Sequence, residues 1–103
     1  MIFQDTPVFT RLIKELMDDD LYRQLQNFLI EQPDAGDIIE GTGGLRKIRW
    51  KLPGTGKRGG VRVIYCWRVA EAQILVLLVY AKSEADDLSP AQKKQLRLIV
   101  ENW

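Results

Sequence analysis

The hydrophobic pattern changes its period once along the chain, and this change limits the folds that are available. Up to Gln32, apolar residues recur at steps of three and four, which is the spacing of amphipathic helices. They are Val8, Phe9, Leu12, Ile13, Leu16, Leu21, Leu25, Phe28 and Leu29. After the glycine-rich segment 41–44 the period falls to about two, which is typical of strands. Helices first and strands second predict an α+β domain with helices packed on a sheet.

Capping signals refine the helical part. The acidic triplet 18–20 separates the two leading helices, and its carboxylates suit the start of the second one. The triplet could instead bind a metal ion, but it lacks the spaced ligands and glycine of a calcium loop, so we favour capping. Ser89, Pro90 and Gln92 predict the start of a last helix, with serine as cap and proline at the first helical position.

Three segments predict strands. Segment 45–52 alternates, segment 61–69 is rich in β-branched and aromatic residues, and segment 74–82 is nearly all apolar, as in a central strand covered on both faces. We expect two N-terminal helices, an antiparallel meander of three to four strands and a C-terminal helix. The 103 residues, 46% of them apolar, suffice for one domain, 1–103.

Composition excludes several chemistries. The chain has no histidine and one cysteine, so a Ser-His-Asp triad, a Cys-His pair and an internal disulfide cannot form. Cys66 lies in an apolar strand segment, where we expect a buried, inert thiol. The N-terminus lacks a signal-peptide pattern and the longest apolar run is too short for a membrane span, which predicts a cytoplasmic protein. We expect no metal, no cofactor and no membrane partner.

The charges are strongly segregated. Segment 45–68 contains no Asp or Glu and eight cations, which are Arg46, Lys47, Arg49, Lys51, Lys57, Arg58, Arg62 and Arg68. The rest of the chain carries seven cations and fourteen anions. The net charge of +1 is therefore the sum of +8 in segment 45–68 and −7 in the rest of the chain. Such a block favours a polyanionic ligand, and nucleic acid is the natural candidate. The alternative is a solvated basic face that only aids solubility.

Within this block, alternation separates two faces of a strand. Lys47, Arg49 and Lys51 share one face, and the other is mostly apolar apart from Arg46. The cationic face should point at solvent or a ligand. Four nearby aromatic residues could stack on bases: Trp50, Tyr65, Trp67 and Tyr80. We expect core packing for the first three and a more open position for Tyr80.

Three segments carry a family resemblance: GTGGLRKIRW at 41–50, GKRGGVRVIY at 56–65 and VYAKSEADDL at 79–88. With them the chain resembles the RelE/HigB superfamily of bacterial toxin–antitoxin toxins, most closely the HigB branch. The resemblance implies a RelE-like fold and a ribosome-dependent endoribonuclease that cleaves mRNA in the ribosomal A site. Its implied partners are the ribosome, mRNA and a cognate antitoxin that holds it inactive.

The resemblance also implies site residues. In the family pattern a Lys-x-Lys pair on the first long strand and an arginine opening the next strand act on the scissile phosphate. The matching positions here are Lys47, Arg49 and Arg62. The pattern departs later, because Ser83 stands where the family has its general-acid arginine and Leu88 where it has a late tyrosine.

We hypothesise that other residues take over the roles of the absent general-acid arginine and late tyrosine. Tyr80 and Lys82, at the end of the third predicted strand, would supply stacking and proton transfer. A lysine can act as a base where like charges and partial burial disfavour its charged form, which makes Lys47 the first candidate and Lys82 the second. Other cations would hold the RNA backbone without sequence choice. They are Arg46, Lys51, Lys57 and Arg58.

Two alternatives remain open at this stage. The first is a ParE-like, non-hydrolytic inhibitor of DNA gyrase on the same fold, because a fold does not determine a function. The second is an inactive RNA-binding remnant. DNA damage signalling after induction would distinguish the first from a toxin that arrests translation, and unchanged behaviour on substitution of Arg62 or Lys82 would indicate the second.

Overall fold

A computed structural model describes residues 2–5, 7–51, 60–81 and 88–102. In chain order the elements are β1 (Ile2–Asp5), α1 (Pro7–Leu16), α2 (Asp19–Glu31), β2 (Asp37–Ile38), β3 (Arg46–Trp50), β4 (Val61–Arg68), β5 (Gln73–Ala81) and α3 (Pro90–Glu101). The sheet order is β1-β5-β4-β3-β2. The predicted α+β class is confirmed, and β2 to β5 form the expected antiparallel meander.

The strand β1 was not predicted. It pairs in parallel with β5, with Ile2 opposite Gln73 and Asp5 opposite Val76. The prediction began with a helix because four residues are too few to establish a period, and only the distant β5 provides their hydrogen-bond partners. The strand β5 is therefore central, between β1 and β4, as its apolar run indicated.

The predicted caps are confirmed. The side chain of Asp18 accepts a hydrogen bond from the backbone N–H of Leu21 at 2.8 Å, at the start of α2. At the start of α3, Ser89 and Gln92 exchange hydrogen bonds in a capping box, with Pro90 in the first turn. Among the described residues, no helix is long and apolar enough to cross a membrane.

The sheet has two covered faces. The first face carries the first core, formed by α1, α2 and alternate strand residues. It includes Ile13, Met17, Leu25, Leu29, Val63, Tyr65 and Val76. The second face carries the second core, which includes Leu96 of α3 together with Ile64, Cys66, Leu75 and Leu77. Cys66 is buried, and burial raises the pKa of its thiol, which agrees with the predicted inert role.

Aromatic residues of the first face behave as expected. Tyr65 is fully buried, and Trp50 and Trp67 pack against the first core. The hydroxyl of Tyr65 donates to the carbonyl of Pro33 at 2.8 Å and accepts from the N–H of Gly36 at 2.9 Å. Tyr65 therefore ties the loop between α2 and β2 to the middle of the sheet.

We expect Tyr65→Phe to lower the free energy of unfolding by about 1–3 kcal/mol, because the buried N–H of Gly36 and the partly buried carbonyl of Pro33 lose their partner. Burial also raises the pKa of the Tyr65 hydroxyl above the ordinary 10.0, so the unfolded chain loses this proton first. The contribution of this hydroxyl to the free energy of unfolding is fully present below pH 10.0 and is lost as the pH rises above it. Urea titrations at neutral and alkaline pH measure the free energy of unfolding. This free energy should fall less steeply with alkaline pH in Tyr65→Phe than in the wild type, and an equal fall in both proteins would contradict the prediction.

A second prediction concerns Gly60, which precedes β4. Gly60 and Gly44 both have positive φ, 119° and 111°, but a Cβ at Gly60 would lie 2.8 Å from the Trp50 carbonyl oxygen, whereas at Gly44 nothing lies within 4 Å. Gly60→Ala should therefore lower the free energy of unfolding by about 1 kcal/mol more than Gly44→Ala. Urea unfolding followed by tryptophan fluorescence measures both, and equal losses would refute the close approach.

Candidate active site

Three residues singled out from the sequence lie in one row across the sheet. Arg49 of β3 is directly opposite Arg62 of β4, and Arg62 is directly opposite Tyr80 of β5. Neighbouring strands lie about 4.8 Å apart and directly opposed side chains share a face, so the row spans about 10 Å of the second face. We call Arg49, Arg62 and Tyr80 the cross-strand row.

Lys47 extends this row along β3. It lies two residues before Arg49, hence on the same face, and is half-buried. Its partner on β4 is Ile64, which belongs to the second core. Lys51 follows the strand and is exposed. The predicted separation of a cationic face from an apolar face on β3 is confirmed, because Ile48 and Trp50 pack with the first core.

Arg62 is unusual because it is a buried cation. Its side chain is only 7% exposed, and another arginine, Arg49, is its neighbour in the row. Within the described part of the chain, no carboxylate forms an ion pair with Arg62. The ion pair found there joins Arg97 to Glu101 on α3, at 3.0 Å. A buried guanidinium beside a like charge is stabilised by an anion, and its fork of donors matches phosphate. The row is therefore a candidate anion site.

Tyr80 corrects one expectation, because it is not open. It is 8% exposed, its hydroxyl oxygen is buried, and its ring belongs to the second core with Leu88 and Leu96. The polar end of the segment suggested exposure, but Leu88 and Leu96 pack with Tyr80 in the second core. A buried ring offers no free face for stacking on a base, so this conformation does not support the predicted stacking role of Tyr80.

Two cations of the basic block have structural positions. Arg46 lies on the first face, where its guanidinium donates to the carbonyls of Asp34 at 3.2 Å and Gly36 at 2.8 Å and lies 6.0 Å from the ring centre of Trp67. Arg68 donates to the carbonyl of Val100 at 3.3 Å, near the end of α3. Arg46 is thus separated from the cross-strand row, whereas the sequence grouped it with the RNA contacts.

The remaining predicted site residues, Lys57, Arg58 and Lys82, lie outside the described residues. Their assigned roles stay predictions. Among the residues that the structure describes, no group of three or more His, Cys, Asp or Glu side chains could hold a metal ion.

A cleft of 410 Å³ opens at the edge of β3, beside Asp37, the first residue of β2. We call it the edge cleft. Its lining includes Phe28, Asp37 and Trp50 together with Lys47 and Arg49. The rings of Phe28 and Trp50 contact each other, with centres 5.4 Å apart and planes tilted by 47°. Arg49 thus belongs both to the edge cleft and to the cross-strand row.

Asp37 and Phe28 were not among the candidate site residues. The helical period identified Phe28 only as a core residue, and nothing local distinguishes Asp37 from the other acidic residues of the chain. The sequence signal for this cleft is the proximity of Trp50 to three cations. It indicates that β3 could contribute to a site, but it does not identify the residues of α2 and β2 that face β3.

The fold has known counterparts. A mutant of the E. coli toxin RelE in the free state superimposes with a TM-score of 0.60 at 15% identity, covering 96% of this chain and 95% of that one. The isolated E. coli RelE toxin superimposes with a TM-score of 0.54 at 17% identity, covering 95% of this chain and 97% of that one. A chain of the E. coli RelBE toxin–antitoxin complex superimposes with a TM-score of 0.53 at 18% identity, covering 76% of this chain and 92% of that one. The architecture is therefore the RelE fold.

Family membership follows from a separate comparison. The model of the family described as the RelE toxin of the RelE/RelB toxin–antitoxin system matches residues 2–103. The chain belongs to the RelE toxin family.

The anion site generates a prediction about binding to single-stranded RNA. Arg49→Gln should weaken binding of a short RNA irrespective of its sequence and reduce the slope of log K against log salt by about 0.7, the value for one phosphate contact on a single strand. Arg97→Gln is the matched control, because Arg97 is exposed on α3 and paired with Glu101. Fluorescence anisotropy across a salt series measures the slopes, and equal slopes for both variants would contradict the site.

Proposed function

We propose that the protein is a ribosome-dependent endoribonuclease that cleaves mRNA in the A site and thereby inhibits translation. The observation that carries this proposal is the cross-strand row, which joins two arginines and a tyrosine on one face, with Lys47 beside them. The function needs no metal ion, because the reaction can be assisted by side-chain cations and proton donors.

Cleavage of RNA by its own 2′-hydroxyl has three requirements. The hydroxyl must lose a proton, the phosphorane must be stabilised, and the departing 5′-oxygen must gain a proton. Arg62 and Arg49 suit the second requirement, since a guanidinium keeps its charge and offers paired donors to equatorial oxygens. The low exposure of Arg62 strengthens this interaction, because the field of a charge is screened less away from water.

Lys47 is the proposed base. It is half-buried and shares its face with Arg49, two residues along the strand. Arg46, its neighbour in sequence, points to the opposite face, so within β3 the like-charge neighbour of Lys47 on the second face is Arg49. For the leaving oxygen, the proposed proton donors are the hydroxyl of Tyr80 and the ammonium of Lys82.

The proposed partners are a ribosome with bound mRNA and a cognate antitoxin. The solved RelBE toxin–antitoxin complex supports the antitoxin. The resemblance to the RelE/HigB superfamily supports the A site as the expected target. We expect that the residues of the active site become fully ordered only on the ribosome, so that free RNA is cut poorly. The proposed place of action is the cytoplasm.

Purified translation with a defined mRNA tests this function. Arg62→Ala should lower the rate of cleavage by about 10²–10³, the cost of losing one electrostatic stabiliser of a transition state. Because Arg62 is buried, Arg49→Ala serves as an exposed second variant, and Arg97→Ala as the control that keeps wild-type cleavage. Mapping the 5′ ends of fragments with and without ribosomes locates the cuts.

Cuts that require ribosomes and that both site variants lose would support the nuclease. Intact mRNA with unimpaired translation would contradict it, and assays of DNA gyrase would then test the ParE-like alternative.

A further inference from the structure

A second cleft lies between β5 and α3 and differs in composition from the edge cleft. Its volume is also 410 Å³, and none of the described residues that line it is charged. Its lining includes Pro7, Leu77, Leu78, Leu96 and Ile99. We call it the α3 groove. We propose that the α3 groove and the adjoining side of α3 form a dimer interface with a second copy of this chain, an inference that does not depend on the proposed function.

The apolar floor of the α3 groove results from the bulge in β5. Ile64 is opposite Leu78 and Tyr65 is opposite Val76, so Leu77 is the extra residue. Leu77 and Leu78 therefore both lie toward the second core, whereas neighbours in a regular strand face opposite sides. The bulge thus broadens the apolar surface beneath α3, and the groove is the part of this surface that α3 leaves uncovered.

One side of α3 continues this apolar surface toward solvent. With about 3.6 residues per turn, Gln92, Gln95, Leu98 and Ile99 fall on the side of α3 that borders the groove, and the charged residues of α3 fall on the other half of the helix. Leu98 and Ile99 are 49% and 44% exposed. An uncharged face with exposed apolar side chains indicates a contact with protein, because charged residues are depleted from the centres of protein interfaces.

The charges at the border of this face favour a second copy as its occupant. Lys94 and Glu101 are exposed and lie about two turns apart, on either side of Leu98 along the helix. If α3 packs antiparallel to its symmetry mate, about a twofold axis between positions 97 and 98, Lys94 of each copy lies beside Glu101 of the other. Glu101 is available for this contact because its ion pair with Arg97 is exposed and therefore weak.

The same antiparallel arrangement is consistent with the apolar residues. It brings Leu98 of both copies to the twofold axis and Ile99 of each copy toward Leu96 of the other, at the groove. A face that meets its own copy in this way is self-complementary, as a twofold interface requires. The paired charges at the rim then determine which partner and which direction are accepted.

The size of this face predicts a weak dimer. The 12 residues of α3 span about 18 Å. A face of this length lies at the small end of specific interfaces, which bury about 1,200–2,000 Å² in total. We therefore expect a dissociation constant in the micromolar range.

Sedimentation equilibrium of the full chain over a concentration series tests the interface. Ile99→Lys places a charge in the apolar contact and should raise the dissociation constant at least about tenfold. Ile38→Lys is the matched control, because it makes the same change at another isoleucine, 60% exposed on β2. Both side chains are exposed, so urea titrations should give the free energy of unfolding of the wild type for both variants.

Three results would overturn the inference. The first is a wild type that stays monomeric at every concentration, and the second is an Ile99→Lys variant that dimerises as tightly as the wild type. The third is a monomeric chain in which Ile99→Lys weakens only the binding of an added antitoxin, which would assign this face to that partner.

An exchange of charges tests the antiparallel pairing. Lys94→Glu and Glu101→Lys should each weaken self-association about tenfold, because each variant creates like charges in both pairs of its own dimer. Mixed in equal amounts, the two variants should form heterodimers about as tight as the wild-type dimer, since both pairs then have opposite charges. Heterodimers no tighter than the dimers of the single variants would overturn the pairing.

Lys14→Glu is the control for this exchange. It makes the same charge change as Lys94→Glu, at an exposed position on α1. Mixed with Glu101→Lys, it leaves one pair of like charges, so the wild-type affinity should not return. Equal recovery with Lys14→Glu and with Lys94→Glu would show that net charge alone drives association, and would overturn the proposed interface.

Discussion

The register of β4 against its two neighbours is the constraint on which the structure depends. Side chains of a strand alternate between faces, so a slip by one residue would move Arg62 into the first core and Val63 onto the second face. The register contains one irregularity, between Ile64 and Tyr65, where β5 has an extra residue. This bulge keeps Val76 on the same face as Tyr65 and sets Leu77 toward the second core.

The two faces of the sheet perform different tasks. The first face is closed by α1 and α2, and among the described residues its core contains the larger of the two sets of buried apolar side chains. The second face is shared between α3 and the cross-strand row. A buried guanidinium there opposes folding because it loses water, and the burial of apolar side chains in the two cores offsets this cost.

Much of the fold could be predicted from local patterns. The period of three to four located α1 and α2, the serine and proline located α3, and alternation within β3 separated Lys47 and Arg49 from Ile48. The strands β1 and β2 could not be predicted, because four and two residues carry no period and their partners are distant in sequence.

Within the candidate site, Arg49 and Arg62 were predictable because each has a strand position that fixes its face. The burial of Tyr80 was not predictable, because Tyr80 packs in the second core with Leu88 and Leu96, which lie beyond the end of β5. The structural position of Arg46 was also beyond reach, because its partners are backbone carbonyls of the loop between α2 and β2. Contacts between segments distant in the chain decide such cases.

The parallel pairing of β1 with β5 has a consequence for the order in which the molecule is made. Of the strands in the described sheet, β1 is synthesised first and is hydrogen-bonded to β5, which is synthesised last, so this sheet cannot close until β5 has been made. The candidate anion site is completed at the same late moment, because β5 also supplies Tyr80 to the row. A nascent chain that is still emerging therefore has no assembled site, and a protein proposed to attack ribosomes is spared from acting on the ribosome that is making it.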